Sequence, residues 1–288
     1  MRFDYTAVGH VTVDVMADGS RRPGGGAFYS ALQAARVGLR TRILTRGVRA
    51  EIDQLLEPYR EELSLDVLEA PCTTTLATSG HGRERSQRVL AWAGEIGEIA
   101  LDTQILHLAP VARETDARTS ASARAAFVGV TPQGLVRDWS GADGRIVARK
   151  LDRSLLPEHC DALVLSEAER DSCAALLSGA RDERASSDRP ALAGAAVIAV
   201  THGEAPTELR LAGGVEIDVE VPAVQRMCDD IGAGDVFAAA FFIALADGED
   251  AQAAAQFANA AAAVRVAAHG AGAIGDRAAI EARLASVA

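Results

Sequence analysis

The densest chemistry lies in one run, Asp229-Asp230-Ile231-Gly232-Ala233-Gly234-Asp235, followed at once by the apolar stretch VFAAAFFIALADG. Glycines at 232 and 234 permit a tight backbone turn. The amides of that turn, placed at a helix N-terminus, point toward one spot with the positive end of the helix dipole behind them, which makes an anion site. A carboxylate there opposes a phosphate unless it has other work. Asp235 stands where it could take the proton of a hydroxyl attacking that phosphate. An Asp ahead of an apolar helix is also a common N-cap. A cap alone explains neither the Gly-Ala-Gly before it nor the acidic pair Asp229-Asp230. The run therefore points to phosphoryl transfer, with Asp235 as base and Gly232, Ala233 and Gly234 as the anion cradle.

Other positions suit a hydroxylated acceptor and its donor. Asp14 ends an apolar strand just before a Gly/Pro break. It can accept hydrogen bonds from two neighbouring hydroxyls, or it can be a solvated strand-end carboxylate. Gly24 and Gly25 allow close approach of a ligand to the backbone, and they equally suit a helix-entry turn. Tyr29 offers an apolar face on which a ring-shaped polyol or nucleoside could pack. Thr201 and Gly203 close a buried strand, and ligands of open α/β sheets gather at carboxyl ends of strands. Asn259 is a polar residue in an Ala-rich helix, which by itself reads as a plain surface residue. Arg83, Arg85 and Arg88 form a solvated turn, or supply a cation that reaches the substrate when that turn folds inward. The six histidines show no HxH or HExxH spacing, and none is read as a metal ligand.

The rest of the composition excludes several classes. The sole lysine, Lys150, is outside any GxxxxGK[ST] context, so the chain carries neither a P-loop nor a protein-kinase lysine. A net charge of −11 disfavours nucleic acid and anionic membrane surfaces as partners. No stretch of about 18 uninterrupted apolar residues is present, so no membrane span is expected. The opening MRFDYTAVGH does not read as a signal peptide, and a cytoplasmic location is the default expectation. Cys72, Cys160, Cys173 and Cys228 are scattered without a CxxC pair and are expected as reduced, mostly buried thiols.

The elements that must position these groups alternate. Of the 288 residues, 49% are hydrophobic but only 4% aromatic, so Ala, Val, Leu and Ile must build a layered core. A first strand is expected over 5–15 and a helix over 27–37, closed by Gly38. A buried strand over 41–45, a helix over 50–62 and a short strand over 64–68 follow. Residues 73–78 and 87–93 read as a hairpin standing off the main sheet, around the turn Gly80-His81-Gly82. Short apolar runs at 105–109, 127–130, 162–166 and 197–201, separated by helical or loop segments, predict βαβ units and a parallel sheet. Residues 181–190 read as a charged surface segment. A hairpin over 208–211 and 215–219 precedes helices over 234–246, 251–268 and 277–285. One domain spans 1–288: a doubly wound, mostly parallel sheet flanked by helices. A small β lid is expected from two excursions, about 11–22 and 72–93, and its unpaired outer edge predicts a homodimer contact.

Asp229 to Asp235 resembles the DTxGAGD signature of the ribokinase-like, PfkB-type family of carbohydrate and nucleoside kinases. Gly9 to Asp14 is similar to that family's first strand, which ends in a substrate-binding Asp. Pro23-Gly24-Gly25, with a helix closed by Arg36-Val37-Gly38, is similar to its glycine pair and following helix. Val200 to Gly203 resembles its VTxG strand, Ser166 to Glu169 its NxxE motif, and Phe257 to Ala260 its adenine-side helix. The order and spacing run from about residue 7 to 274. Tyr29, Asp230 and Ser166 depart from the family's usual Asn, Thr and Asn. The Gly-Gly-x-x-x-Tyr opening resembles the inositol- and nucleoside-like branch. The resemblance implies an ATP-dependent kinase in which Thr201, Gly203, Ser166 and Asn259 line the nucleotide. It further implies that Glu169 organises Mg²⁺ and its waters, and that a monovalent cation such as K⁺ binds near Asp229. A small neutral polyol is the expected substrate. A nucleoside or sugar phosphate, or a non-catalytic binding role on the same fold, are the alternatives.

Overall fold

The computed structural model describes residues 2–80, 86–139, 143–177 and 195–286. The expected turn residues His81, Gly82, Arg83 and Arg85 and the segment 181–190 lie outside them. In chain order the elements are β1 (Phe3–Val8), β2 (Thr12–Val15), β3 (Arg21–Gly24), α1 (Gly26–Arg36), β4 (Thr41–Gly47), α2 (Arg49–Leu55), β5 (Ser64–Glu69), β6 (Thr75–Ser79) and β7 (Ser86–Ala91). There follow β8 (Asp102–Leu108), β9 (Arg124–Val130), β10 (Arg137–Asp138), β11 (Val147–Ala148), β12 (Ala162–Ser166), α3 (Ala174–Leu177), β13 (Val197–His202), β14 (Ala205–Leu211) and β15 (Glu216–Val219). Helices α4 (Ala233–Ala246), α5 (Ala251–Val266) and α6 (Arg277–Ala285) close the chain.

The main sheet has nine strands in the order β15-β14-β13-β12-β9-β8-β1-β4-β5. From β13 to β5 every pairing is parallel, and only β14 runs the other way, antiparallel to both β13 and β15. Strand alternation divides the core into two layers. Tyr5, Ala7, Ile43, Ala162, Val164 and Ala199 face α1, α4 and α5. Val8, Leu44, Leu163, Leu165, Ile198 and Val200 face the other way. Helix α4 is buried at every position from Val236 to Ala244, which is why its sequence is apolar all round. Phe242 lies so close to Gly129 that any Cβ there would overlap its ring. Among the described residues, the second layer is covered by 3₁₀ turns, loops and the four-residue α3, with Leu135, Val136, Leu151 and Leu156 packed on it. The helical cover is thus uneven between the two faces.

The first strand ends earlier than the alternation suggests. Residues 5–15 divide into β1, in the main sheet, and β2, in a separate sheet. A Cβ on Gly9 would run into the carbonyl of Ala109, so the backbone passes there without a side chain. Fully buried Glu114 then turns the chain: it accepts from the N–H groups of His10, Val111 and Ala112 at 2.7–2.8 Å. The helix expected over 50–62 also stops short, because Pro58 starts a 3₁₀ turn after α2.

A second, four-stranded sheet has the order β3-β2-β6-β7. Its centre is the parallel pair β2–β6, which joins two distant excursions with Asp14 opposite Leu76. The outer edge of β7 is not open as expected. Val89 N–H donates to the Gly144 carbonyl at 2.8 Å, and Ile146 N–H to that of Gln87 at 3.0 Å. The opposite edge, β3, carries Arg21, Arg22 and Pro23, which blunt strand addition. The basis for a dimer contact on the hairpin edge therefore falls away. All four cysteines are free, Cys160 and Cys173 buried, Cys72 and Cys228 partly so. No described helix is long and apolar enough to cross a membrane.

Candidate active site

Three consecutive glycines bring two carboxylates onto the start of α1. A Cβ on Gly24 would collide with the Asp14 carboxylate. A Cβ on Gly26 would stand 2.8 Å from Asp235 Oδ1. Gly25 between them has φ 92° and packs on the His10 carbonyl, a conformation and a contact that only glycine tolerates. The helix-entry turn is therefore also the wall on which Asp14 and Asp235 rest. Thr12 Oγ1 donates to Asp14 Oδ1 at 2.7 Å, and Asp14 is almost wholly buried. Ser30 Oγ donates to the Asp235 backbone carbonyl at 3.1 Å and ties α1 to the first turn of α4.

The loop ahead of α4 turns tightly on a glycine. Gly232 is left-handed at φ 78° and caps α4. Ala233 N–H is spent on the Asp230 carbonyl at 3.3 Å, whereas the N–H groups of Gly234 and Asp235 have no backbone acceptor among the described residues. Gly234 is exposed with open space above its Cα. Two first-turn amides thus face the cleft beside the Asp235 carboxylate.

Electrostatics separates the two ends of this loop. Asp235 is pushed up to about 7, by burial first and then by the neighbouring charge of Glu169. Arg137 opposes that rise and Asp14 adds to it. A carboxylate poised near neutrality is what a general base for a hydroxyl requires. For Asp229, burial would raise the pKa, but hydrogen bonds from the Gly270 and Ile231 amides and from Arg265 outweigh it and hold it low. Those bonds measure 2.9, 3.0 and 3.0 Å.

Two arginines escaped the reading of the sequence. Arg137 follows the 3₁₀ turn Pro132–Val136 and donates to the Val111 carbonyl at 3.0 Å and to Gln87 Oε1 at 3.1 Å. Burial pulls its pKa down, while Glu169, Asp235, Glu114 and Asp14 push it back up, which places this cation among the carboxylates of the cleft. Arg265, on α5, is fully buried under the 229–235 loop. Its Nη1 donates to the carbonyls of Asp229 (3.3 Å) and Ala268 (3.2 Å). Its Nη2 donates to Asp229 Oδ2 (3.0 Å) and the Ile231 carbonyl (2.6 Å). The oxygens that a K⁺ beside Asp229 would use are held by this guanidinium, so the residues present do not fit that ion.

The other expected positions divide. Ser166 and Thr201 are paired neighbours at the carboxyl ends of β12 and β13, and Gly203, at φ 69°, turns the chain into β14 beside them. Glu169 sits on the 3₁₀ turn after β12, its Oε2 accepting from Ser166 N–H at 2.8 Å in a capping box. No three His, Cys, Asp or Glu side chains gather as a metal cage among the described residues. Glu169 nonetheless fits a Mg²⁺ held mainly by waters and phosphates, the usual arrangement for that ion. Tyr29 is 6% exposed, and Gly232 packs so tightly on its ring that a Cβ there would overlap it. Its ring supports the anion loop from below. Asn259 is 3% exposed, and its amide is spent within the fold. It accepts from Thr207 Oγ1 at 2.8 Å and donates to the carbonyls of Val219 and Glu220 at 3.3 and 3.1 Å. The nucleotide contact expected of it is corrected on that ground. Arg88 is exposed on β7, away from the carboxylates.

Comparison with known proteins identifies the family and the fold. The family described as pfkB family carbohydrate kinase matches residues 74–277. A pyrophosphate-dependent kinase of the ribokinase family, in complex with a pyrophosphate analogue and myo-inositol, superposes with a TM-score of 0.75 at 21% identity, covering 96% of this chain and 99% of that one. Ribokinase of Arabidopsis thaliana with ribose and ATP gives 0.70 at 16% identity, covering 99% of each chain. Fructokinase of Xylella fastidiosa with bound ATP gives 0.70 at 17%, covering 98% of each. A search of curated proteins finds no match.

Proposed function

Because the chain belongs to the pfkB family of carbohydrate kinases, we propose that it transfers the γ-phosphate of ATP to a hydroxyl of a small neutral polyol, with Asp235 as general base. The observation that carries this reading is the Asp235 carboxyl, pushed up to about 7 beside the open amides of Gly234 and Asp235 itself. The acceptor hydroxyl attacks the γ-phosphorus as its proton passes to Asp235, and the bond to the ADP oxygen breaks. The amides of Gly234 and Asp235 hold the charge that develops on the phosphoryl oxygens. Arg137 adds a cation to the same cleft. Asp14 takes hydrogen bonds from acceptor hydroxyls and orients the one that reacts. Thr201, Gly203 and Ser166 line the donor side. Glu169 would hold waters of a Mg²⁺ ion, which when bound neutralises phosphate charge. The small sheet of β2, β3, β6 and β7 acts as a lid that excludes water and so suppresses wasteful hydrolysis of the donor.

The charge of the cleft supports a neutral acceptor. Asp14, Asp235, Glu169 and Glu114 surround one arginine, and both of its described hydrogen bonds are to protein oxygens. A second phosphate dianion held among these carboxylates is repelled. The test measures consumption of ATP, and separately of pyrophosphate, with myo-inositol, ribose, fructose, adenosine, fructose 1-phosphate and fructose 6-phosphate. ATP-dependent turnover of a neutral polyol is expected. Turnover of phosphorylated sugars alone overturns the acceptor assignment, and use of pyrophosphate in place of ATP overturns the donor.

A further inference from the structure

A loop that must present amides to a phosphate group needs something to fix its carbonyls on the opposite side. In this chain that element is the Arg265 side chain. It is fully buried, and its two terminal nitrogens reach four oxygens of Asp229, Ile231 and Ala268. These acceptors come from the loop before α4 and from the segment just after α5, so one side chain ties the two together. The Tyr29 ring lies 5.8 Å from the guanidinium carbon and closes the site from the side of α1. Carboxylate and carbonyl oxygens converging on one point are also the ligands a hard monovalent cation takes. A guanidinium supplies the same single positive charge, cannot be lost by deprotonation, and fixes direction through its planar fork.

We propose that Arg265 is a built-in cation, which orders the 229–235 anion loop in place of a bound monovalent ion, so that phosphoryl transfer by this protein is independent of K⁺. The inference rests on reading that loop as the phosphoryl-binding element. Arg265 is a positioning residue: it acts through Asp229, Ile231 and the amides that follow. A second cation beside it would meet like charge at short range and find its oxygens already taken.

Two measurements decide the matter. Thallium(I), a K⁺ mimic, is titrated into the wild-type protein and followed by ²⁰⁵Tl NMR and by thermal denaturation. No saturable site is expected up to about 100 mM, where even a weak specific site would raise the melting temperature by mass action. Turnover is then compared in KCl and in tetramethylammonium chloride of equal ionic strength, with rates within about twofold expected, since no coupling energy links the ion to the reaction. In Arg265→Ala, activity should fall and be restored by added guanidinium or K⁺, a rescue that loss of packing alone would not give. Arg265→Lys, should the alanine variant not fold, is expected to keep part of the activity and remain insensitive to K⁺. Saturable thallium binding to the wild type, or a rise of about tenfold or more in its rate with K⁺, overturns the proposal. If no acceptor is phosphorylated at all, the kinase assignment fails, and the thallium titration still decides whether the site is filled from within.

Discussion

Asp229 and Asp235 stand six residues apart on one loop, and their surroundings drive them in opposite directions. Asp229 meets donors on every side, namely two backbone amides and a buried guanidinium, and stays ionised well into acid. Asp235 meets burial and like charge from Glu169 and Asp14, with Arg137 only partly offsetting them, and is pushed up to about 7. One carboxylate is thereby fixed as structure and the other is left ready to take a proton. Residue type did not distinguish them; their partners did.

The largest effect that would test this division is on chemistry. Asp235→Asn should lower single-turnover phosphoryl transfer by roughly 10²- to 10⁴-fold, the usual cost of losing a general base. A variant within about threefold of wild type would show that the proton goes elsewhere. At the other end of the loop, Asp229→Asn should act on the fold. Leaving the Arg265 charge buried without its carboxylate costs about 3–5 kcal/mol, to be read from the urea midpoint. Equal stability of variant and wild type would mean that the carbonyls alone satisfy the guanidinium.

The pH dependence sharpens the same contrast with smaller effects. Since Asp235 must be ionised to accept a proton, kcat/KM should rise about tenfold per pH unit below neutrality and level off above pH 7. A flat profile between pH 5 and 8 would contradict the raised carboxyl. Stability should move oppositely. A carboxyl raised in the folded state contributes stability that is complete below its unfolded value of 3.8 and lost as pH climbs through about 7. Asp235→Asn should therefore match wild type in melting temperature at pH 4 and exceed it at pH 8, by roughly 2–4 °C for each kcal/mol that the shift contributes. Asp229, held low, contributes in the reverse sense: its stabilisation is present above 3.8 and disappears as pH falls through its folded value.

The smallest effect concerns the ring under the loop. Among the described residues the Tyr29 hydroxyl makes a single long contact, 3.4 Å to the Pro23 carbonyl, whereas the ring supports Gly232. Tyr29→Phe should change stability by under about 0.5 kcal/mol and leave turnover nearly unaltered. A large rise in acceptor KM in that variant would instead restore Tyr29 to the substrate surface.

Much of this was readable beforehand, and the gaps share one cause. The alternating elements, the hairpin standing off the main sheet and the anion loop all follow from local patterns: periodicity, glycine pairs, an apolar helix after an acidic turn. Glycines 24–26 were legible as a helix entry but not as three separate clearances, because Asp14, the His10 carbonyl and Asp235 reach them from elsewhere in the chain. Asn259 was misread for the same reason, its three partners lying at Thr207, Val219 and Glu220. Arg265 did leave a trace: a lone charge in AAAAVRVAAHG falls at helical spacing from Ala254, Ala258 and Ala261, on the buried face of α5, where a cation needs partners. Arg137, at the end of an irregular turn, left none.

The clasp of Asp14 and Asp235 across the glycines of α1 also fixes when competence can arise during synthesis. Asp14 emerges from the ribosome early, on a strand that pairs at once with β3 but whose other edge is covered only when β6 has been made. Asp235 follows after more than two hundred further residues, and the Gly270 amide and Arg265 guanidinium that hold Asp229 in the same loop come later still. A chain that stops before Gly270 thus lacks Asp235 itself or a group that holds its loop through Asp229. On the proposed assignment, a translation product abandoned before α5 has no assembled site with which to drain the cell's phosphoryl donor.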